Sequence, residues 1–239
     1  MTQFEALFGV KNSEIKENCL LTPFLSKRVI TELKARTLKS GKLYGTALAK
    51  NFSIIQTGLG AGLVGDAVLY LKDTPCKRAI LFGSCGLVKA KGNLDIGSLV
   101  LPKSAISDEG FTEALISDNR RLRSFSPDAE LSKKIYLYGR HLSLLEASCQ
   151  TVSSLKLEEN MRHDLIARSI DIVDMECSAF YAAASHVKIE ASALFYVNDI
   201  ITDRPFYTEK TADERSRLAL AFKNSLEILW TILTENQTG

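Results

Sequence analysis

Ile172-Val173-Asp174-Met175-Glu176-Cys177 is the stretch whose reading decides the fold. An apolar pair runs into acid, thioether, acid. The small residues that follow, Ser178, Ala179, Ala182, Ala183 and Ala184, predict a closely packed helix. A second apolar run, Ala193-Leu194-Phe195-Tyr196-Val197, then predicts a buried strand that ends in Asn198-Asp199. Acids at the ends of two strands sit where an α/β sheet keeps its ligands. One such carboxylate can hold a sugar and the other can give a proton.

Working outward, the same alternation holds along the chain. Cys19-Leu20-Leu21-Thr22 reads as a first strand. Pro23 precedes a helical pattern carried by Leu25, Val29, Ile30 and Leu33. Phe52 to Thr57 reads as a strand, Gly58-Leu59-Gly60-Ala61-Gly62 as its turn, and a helix follows to about Leu71. Ala79-Ile80-Leu81-Phe82 is a buried strand expected to end in a turn, Gly83-Ser84-Cys85-Gly86. Leu94 to Leu101 is a turn and a further strand, and Leu145 to Thr151 another. The stretch 103–133 is polar, with Gly110 and the basic residues Arg120, Arg121 and Arg123, and is expected to be a mobile loop. Leu218, Leu220, Ala221, Leu226, Ile228 and Leu229 predict an amphipathic helix over 212–233. Strand and helix alternating in this way predict an α/β fold with a mostly parallel or mixed sheet covered by helices. Residues 1–18 are polar and mixed and are expected to form an N-terminal extension or a helix lying on the surface, with 19–239 as a single domain.

Composition narrows the class. The chain has 239 residues, 46% hydrophobic and 24% charged, with a formal charge of +2. That suits one large domain and offers no basic stripe for nucleic acid. No apolar run approaches the ~20 residues that span a bilayer. Met1-Thr2-Gln3-Phe4-Glu5 lacks the basic and apolar regions of a signal peptide, so a cytoplasmic location is expected. Five cysteines, at 19, 76, 85, 149 and 177, are odd in number and lack metal-type spacing, which predicts reduced, buried thiols and no metal.

Four segments carry chemistry. The glycines of 58–62 let a backbone approach a ligand, but no acid ends the next strand as a ribose hook, so a dinucleotide fingerprint is disfavoured against a tight turn. Gly83-Ser84-Cys85-Gly86 offers Ser84 as a donor to a sugar, a water or a phosphate. It is not a Gly-x-Ser-x-Gly elbow, and Cys85 has no His beside it in sequence. Glu176 opens a helix, where favourable interaction with the dipole is the ordinary explanation; Asp199 has an ordinary explanation as the cap of a turn. Met175 divides evenly between core packing and the floor of a ribose site. His186 is expected to be structural, and His141 and His163 to lie on the surface.

Taken in order, Gly58-Leu59-Gly60, Gly83-Ser84-Cys85-Gly86, Leu94-Asp95-Ile96-Gly97-Ser98-Leu99-Val100, Val173-Asp174-Met175-Glu176 and Asn198-Asp199 resemble the nucleoside phosphorylase and nucleosidase superfamily over residues 19–233. Its nucleosidases for methylthioadenosine and adenosylhomocysteine, and the futalosine hydrolases, are the most similar in kind. The resemblance implies a three-layer α/β/α fold around a twisted, partly barrel-like mixed sheet, and cleavage of a nucleoside's N-glycosidic bond with no cofactor. It implies that Glu176 holds the ribose hydroxyls with Asp174 beside it, and that Met175 packs beneath the sugar. Asp199, next to Asn198, would protonate the purine, usually at N7. Ser84, with Cys85 and Gly86, would stand near the attacking water or phosphate. Ser154 and Leu155, within Thr151-Val152-Ser153-Ser154-Leu155, would line the base pocket, Leu155 replacing an aromatic that Phe206 or Tyr207 would supply. The family usually assembles as homodimers or hexamers, which implies a homo-oligomer.

Water and phosphate are both open as nucleophile. The superfamily's phosphorylases place arginines where this chain has Leu25 and Leu81, although Lys27 or Arg28 would serve after a shift of a few residues. Burying phosphate against leucine costs several kcal/mol. The nucleosidases place a glutamate in the first segment, where this chain has Leu25 and Ser26. Hydrolysis is favoured over phosphorolysis, and a non-catalytic nucleoside-binding relative is the third alternative.

Overall fold

The structure, a computed structural model, describes residues 1–116 and 123–235. In chain order its elements are α1 (Gln3–Phe8), β1 (Asn18–Thr22), α2 (Lys27–Glu32), β2 (Lys39–Ser40), β3 (Gly45–Leu48), β4 (Phe52–Gln56), α3 (Ala61–Leu71), β5 (Arg78–Leu87), β6 (Leu99–Asp108) and α4 (Gly110–Ile116). Then come β7 (Arg123–Phe125), α5 (Ala129–Gly139), β8 (Leu145–Val152), α6 (Leu155–Ala167), β9 (Ile172–Asp174), α7 (Cys177–Val187), β10 (Glu190–Ile200) and α8 (Ala212–Thr234).

Strand alternation builds the layers. Cys19 and Leu21 of β1, Ile55 of β4, and Ala79 and Leu81 of β5 face one apolar cluster with Phe4 and Phe8 of α1, Val64 and Val68 of α3, and Phe180 of α7. Their neighbours Leu20, Ile54, Ile80 and Phe82 face a second cluster with Val29 of α2, Ile135 of α5, and Ile228 and Leu229 of α8. Successive side chains of a strand point to opposite faces, so one sheet is covered on both sides. The result is the three-layer α/β/α arrangement with a central mixed sheet.

Five strands of that sheet close on themselves. β5 lies parallel to β1 and to β10. β10 pairs antiparallel with β6, β6 parallel with β8, and β8 parallel with β9. β9 then returns antiparallel to β5. This ring gives the sheet its barrel-like part, and β4, β3 and β2 extend it as an open edge beyond β1. A third cluster, with Leu165 and Met161 of α6 against Val173, Val88 and Ile201, covers one end of the ring.

Several expectations are corrected. Gly83-Ser84-Cys85-Gly86 is not a turn: it continues β5, held by β10 on one side and, at Gly86, by β9 on the other. The strand read as ending at Leu101 runs to Asp108 and is followed by α4, so the first part of 103–133 is ordered sheet and helix rather than loop. Arg123 starts β7; Arg120 and Arg121 lie outside the described residues. Within residues 1–18, helix α1 packs onto the domain, with Phe4, Phe8, Val10 and Ile15 buried in the same cluster as β1 and β5. His186 is exposed at the end of α7, against the expectation of a structural role; His141 and His163 are exposed as expected. Among the described residues, no helix is long and apolar enough to cross a membrane.

Candidate active site

The connection from β9 to α7 separates its two acids by task. Asp174, at the end of β9, accepts the backbone N–H groups of Glu176 (3.0 Å) and Cys177 (2.6 Å) through Oδ2, and the Thr151 hydroxyl (2.7 Å) through Oδ1. It thereby caps α7. Thr151 Oγ1 also accepts from the N–H of Ser178, which ties β8 to the same helix end. Burial pushes the Asp174 carboxyl up, to about 6, against these hydrogen bonds.

With the capping done by Asp174, Glu176 is free to reach away. It stands at the N-cap of α7 but its side chain makes no capping bond there. Instead its Oε1 accepts the N–H of Gly60, 2.7 Å away and 116 residues earlier. Gly60 has φ of +104°, a conformation that glycine alone adopts readily, so the turn after β4 can aim its N–H at the acid. Glu176 is 6% exposed. Burial and the neighbouring Asp174 push its carboxyl up to about 8. Glu176 thus stands at the helix end while its carboxyl bonds the glycine turn instead of the helix.

Asp199 lies within β10, not at a turn, and is 8% exposed. Its one side-chain hydrogen bond among the described residues comes from Asn198 Nδ2, at 3.4 Å. Burial raises its carboxyl above the usual range, opposed by Asn198 and by the Lys210 ammonium.

Gly86 joins the two sides. In the sheet it pairs with Val173 of β9 and with Asp199 of β10. A Cβ built on Gly86 would meet Ile201 at 3.0 Å, Val173 at 3.2 Å and Asp199 Oδ2 at 3.4 Å. A larger residue would thus fill the space between the strand leading to Glu176 and the strand carrying Asp199. Ser84, two residues earlier, is exposed and interacts with the Tyr196 hydroxyl. Cys85 is buried, its thiol directed at the Tyr196 carbonyl (3.7 Å), and burial with nearby Asp174 and Asp199 raises it well above the ordinary thiol range. A thiol held protonated in this way is a poor nucleophile.

A cavity of about 380 Å³ opens beside Met175, bordered by Gly60, Gly62, Glu109, Phe111 and Ser153. That volume lies within the roughly 300–1,000 Å³ of small-molecule sites. Met175, Ser153 and the glycine turn are thus gathered on the Glu176 side. Ser154 is half-buried and Leu155 exposed at the start of α6. Phe206 and Tyr207 are exposed and pack edge-on against each other, ring centroids 5.4 Å apart.

Sequence reasoning missed four residues here. Glu109 is buried, accepts from the N–H of Thr112 at 3.1 Å and from the Ser178 hydroxyl at 3.1 Å, and is also bonded to the Thr112 hydroxyl. Phe111 is the aromatic residue that borders the cavity beside Met175, where the sequence reading offers Phe206 or Tyr207. Both follow a strand end, Ser107-Asp108, which has the same strand-then-acid form as the other two acids. Glu158, buried and within electrostatic reach of Asp199, and Lys210, whose ammonium opposes the rise of Asp199, carried no motif at all. Cys149, Asp174 and Cys177 place donor atoms within 4.8 Å of one another, a cluster that sequence spacing hid. The Asp174 oxygens there are already committed to hydrogen bonds, and burial holds the Cys149 and Cys177 thiols protonated.

No curated protein matches the chain by sequence. Among solved structures it is similar to uridine phosphorylase from Vibrio fischeri ES114, with a TM-score of 0.78 at 17% identity over 95% of each chain. It is similar to AMP nucleosidase from Bacteroides thetaiotaomicron VPI-5482, with a TM-score of 0.71 at 20% identity over 94% of each chain. The third is the 5′-methylthioadenosine/S-adenosyl homocysteine nucleosidase of Campylobacter jejuni, with a TM-score of 0.69 at 15% identity over 91% of this chain and 98% of that one. At such identities the likeness is one of fold. The family profile described as the phosphorylase superfamily matches residues 21–234 and spans every segment of the site, so the chain belongs to the phosphorylase superfamily.

Proposed function

We propose that the chain is a purine-nucleoside N-ribosyl hydrolase, of the methylthioadenosine/adenosylhomocysteine or futalosine type. The observation that carries this reading is that the two strands paired with Gly86 each carry or lead to a buried carboxyl, Asp199 within β10 and Glu176 just past β9, neither of them used to cap a helix or turn. Glu176 binds the ribose 2′ and 3′ hydroxyls. As the C1′–N9 bond breaks, the ring gains oxocarbenium character, and a carboxylate beneath it favours that state over the substrate. Asp199 delivers a proton to N7, so that the bonding pair leaves on a neutral base. General-acid help of this kind contributes typically ~10²–10⁴-fold. The water oxygen bonds to C1′ and its proton passes to solvent. Ser84, exposed and anchored to Tyr196, is the side chain that orients the water.

Water is preferred to phosphate because the two positions where the superfamily's phosphorylases carry cations are apolar here. Leu81 is fully buried in β5, and Leu25 is packed against the cluster of α2 and α8. Arg28, the nearest guanidinium in sequence, is paired with Glu32 at 2.6 Å and lies over the Phe222 ring at 5.1 Å. Phosphorolysis remains the second reading, since the fold is shared with a uridine phosphorylase.

One assay separates these readings. Purified protein is given adenosine, inosine and methylthioadenosine with and without phosphate, and the sugar product is identified. Hydrolysis yields free base and free ribose or its 5′-thio derivative at a rate indifferent to phosphate. Strict phosphate dependence with ribose-1-phosphate overturns the water assignment. Binding without release of base under either condition points to a non-catalytic relative.

A further inference from the structure

Gln150 lies within β8 with no exposed surface, and neither end of its amide has a hydrogen-bond partner among the described residues. An amide buried unpaired is costly, and a fold that keeps one has something that completes its bonds. Its neighbours fix the direction in which it points. Cys149 Sγ and Thr151 Oγ1 both reach Asp174 Oδ1, at 3.4 and 2.7 Å, so they share one face of β8 and Gln150 takes the other. In register it stands between Ile106 of β6 and Val173 of β9. Those two pack with Met161 and Leu165 of α6, and all four are apolar. They leave the amide's donors and acceptor unused.

Strand register carries this row on to the acid. Val173 pairs with Gly86, and Gly86 with Asp199. A Cβ on Gly86 would meet Val173 at 3.2 Å and Asp199 Oδ2 at 3.4 Å, so all of these side chains occupy one face of the sheet. Across four strands the row reads amide, isopropyl, hydrogen, carboxyl. Its middle is flat and apolar, and only its ends are polar. Three strand spacings separate those ends, roughly 14 Å between Cα atoms. A purine bonded at two edges spans such a gap once a Gln and an Asp side chain lean in from either end. Thr202 Oγ1, next in the chain to the Ile201 that borders Gly86, is also buried without a partner among the described residues.

We propose that Gln150 reads the base: while Asp199 meets N7, the buried amide takes the edge that carries N1 and the six-substituent. The proposal rests on the nucleoside-cleaving reading above and names a specificity-determining residue for it. An amide offers two donors and one acceptor, so it pairs bidentately with an edge that sets a donor beside an acceptor. Adenine presents N6–H beside N1. Hypoxanthine presents N1–H beside O6, for which the amide turns over. Unsubstituted purine offers N1 alone and leaves the amide oxygen unpaired. The site therefore selects purines that carry an amino or oxo group at the six-position.

The test is Gln150→Met, which keeps the length of the side chain and removes the amide. Base release from adenosine and from purine riboside is measured with wild type and variant, so that the differing lability of the two glycosides cancels. The preference for adenosine in kcat/KM is expected to fall by about 10-fold or more. The thermal unfolding midpoint is expected to hold or rise, because an unpaired amide has left an apolar cluster. An unchanged preference overturns the proposal and leaves Gln150 as a buried amide bonded to water alone. A second measurement needs no turnover: calorimetric binding of the same two nucleosides to Asp199→Asn, with and without Gln150→Met. Tighter binding of adenosine, lost when Gln150→Met is added, supports base reading. Equal affinities before that substitution, or an advantage that survives it, overturn base reading. Wild-type protein that releases no base refutes the nucleosidase reading alone, and the calorimetry still decides the role of Gln150.

Discussion

Glu176 and Asp199 are opposite solutions to the burial of a carboxyl. Glu176 keeps one backbone donor, from Gly60, and with burial pushing it to about 8 it carries a proton at neutral pH while the site is empty. Ribose hydroxyls donating to it favour the charged form. Nucleoside binding to Asp199→Asn at about pH 7 is therefore expected to release a proton, which calorimetry in buffers of different ionisation heat would measure. Adding Glu176→Gln should abolish that release and weaken binding; an unchanged proton count would remove Glu176 from the sugar. Asp199→Asn itself is expected to lower base release by ~10²-fold or more while sparing nucleoside affinity, as kinetics and calorimetry would record. These two acids were legible in the sequence because each ends an apolar run. Glu158 and Lys210 were not, because their proximity to Asp199 comes from packing across the fold and leaves no local pattern.

At the scale of the element, the decisive unit is β9 with the start of α7. Thr151 of β8 bonds both Asp174 and the N–H of Ser178, so one hydroxyl helps to hold the strand end and the helix end together. Thr151→Val keeps the shape and removes both bonds. It is expected to cost about 1–3 kcal/mol of stability by urea denaturation and to reduce activity through a displaced Glu176. An unaltered midpoint would show that the clamp is dispensable. In β5, Gly86→Ala puts a methyl group within about 3 Å of Ile201 and Val173, and should impair turnover more than stability. The β9, α7 and β10 unit could be read from sequence because apolar runs, small residues and acids follow one another there. β5 and β6 could not be read in full. Gly83, Ser84 and Gly86 have weak strand propensity, and pairing with β10 and β9 overrides it. Lys103, Ser104 and Ser107 break the apolar pattern of β6, yet β8 pairs with it as far as Asp108.

Over the whole molecule, the ring of five strands brings acids that are distant in sequence to one end and buries them there. That placement has a thermodynamic signature. Asp174 at about 6, Glu158 at about 7 and Glu176 at about 8 all hold protons more tightly in the folded chain than their ordinary values of 3.8 to 4.5 allow. The folded state then binds more protons than the unfolded state between those limits, and its stability falls as pH rises through them. The acids shifted downward, Glu14, Asp95 and Glu214, have finished titrating below this window. Urea midpoints are expected to be lower at about pH 8.5 than at about pH 5; a rise would show that the buried acids are not held protonated. The layered architecture was readable from alternating strands and helices. Its barrel-like part was legible only through the family resemblance, because the pairing of β6 with both β8 and β10 is a long-range choice that leaves no local pattern.

The most direct measurement of the central claim is a crystal structure of Asp199→Asn with adenosine bound. The account predicts Glu176 within hydrogen-bonding distance of the ribose 2′ and 3′ hydroxyls and the residue-199 side chain beside N7 of the same molecule. Adenosine seated elsewhere, or touching one of these two residues and not the other, would contradict it.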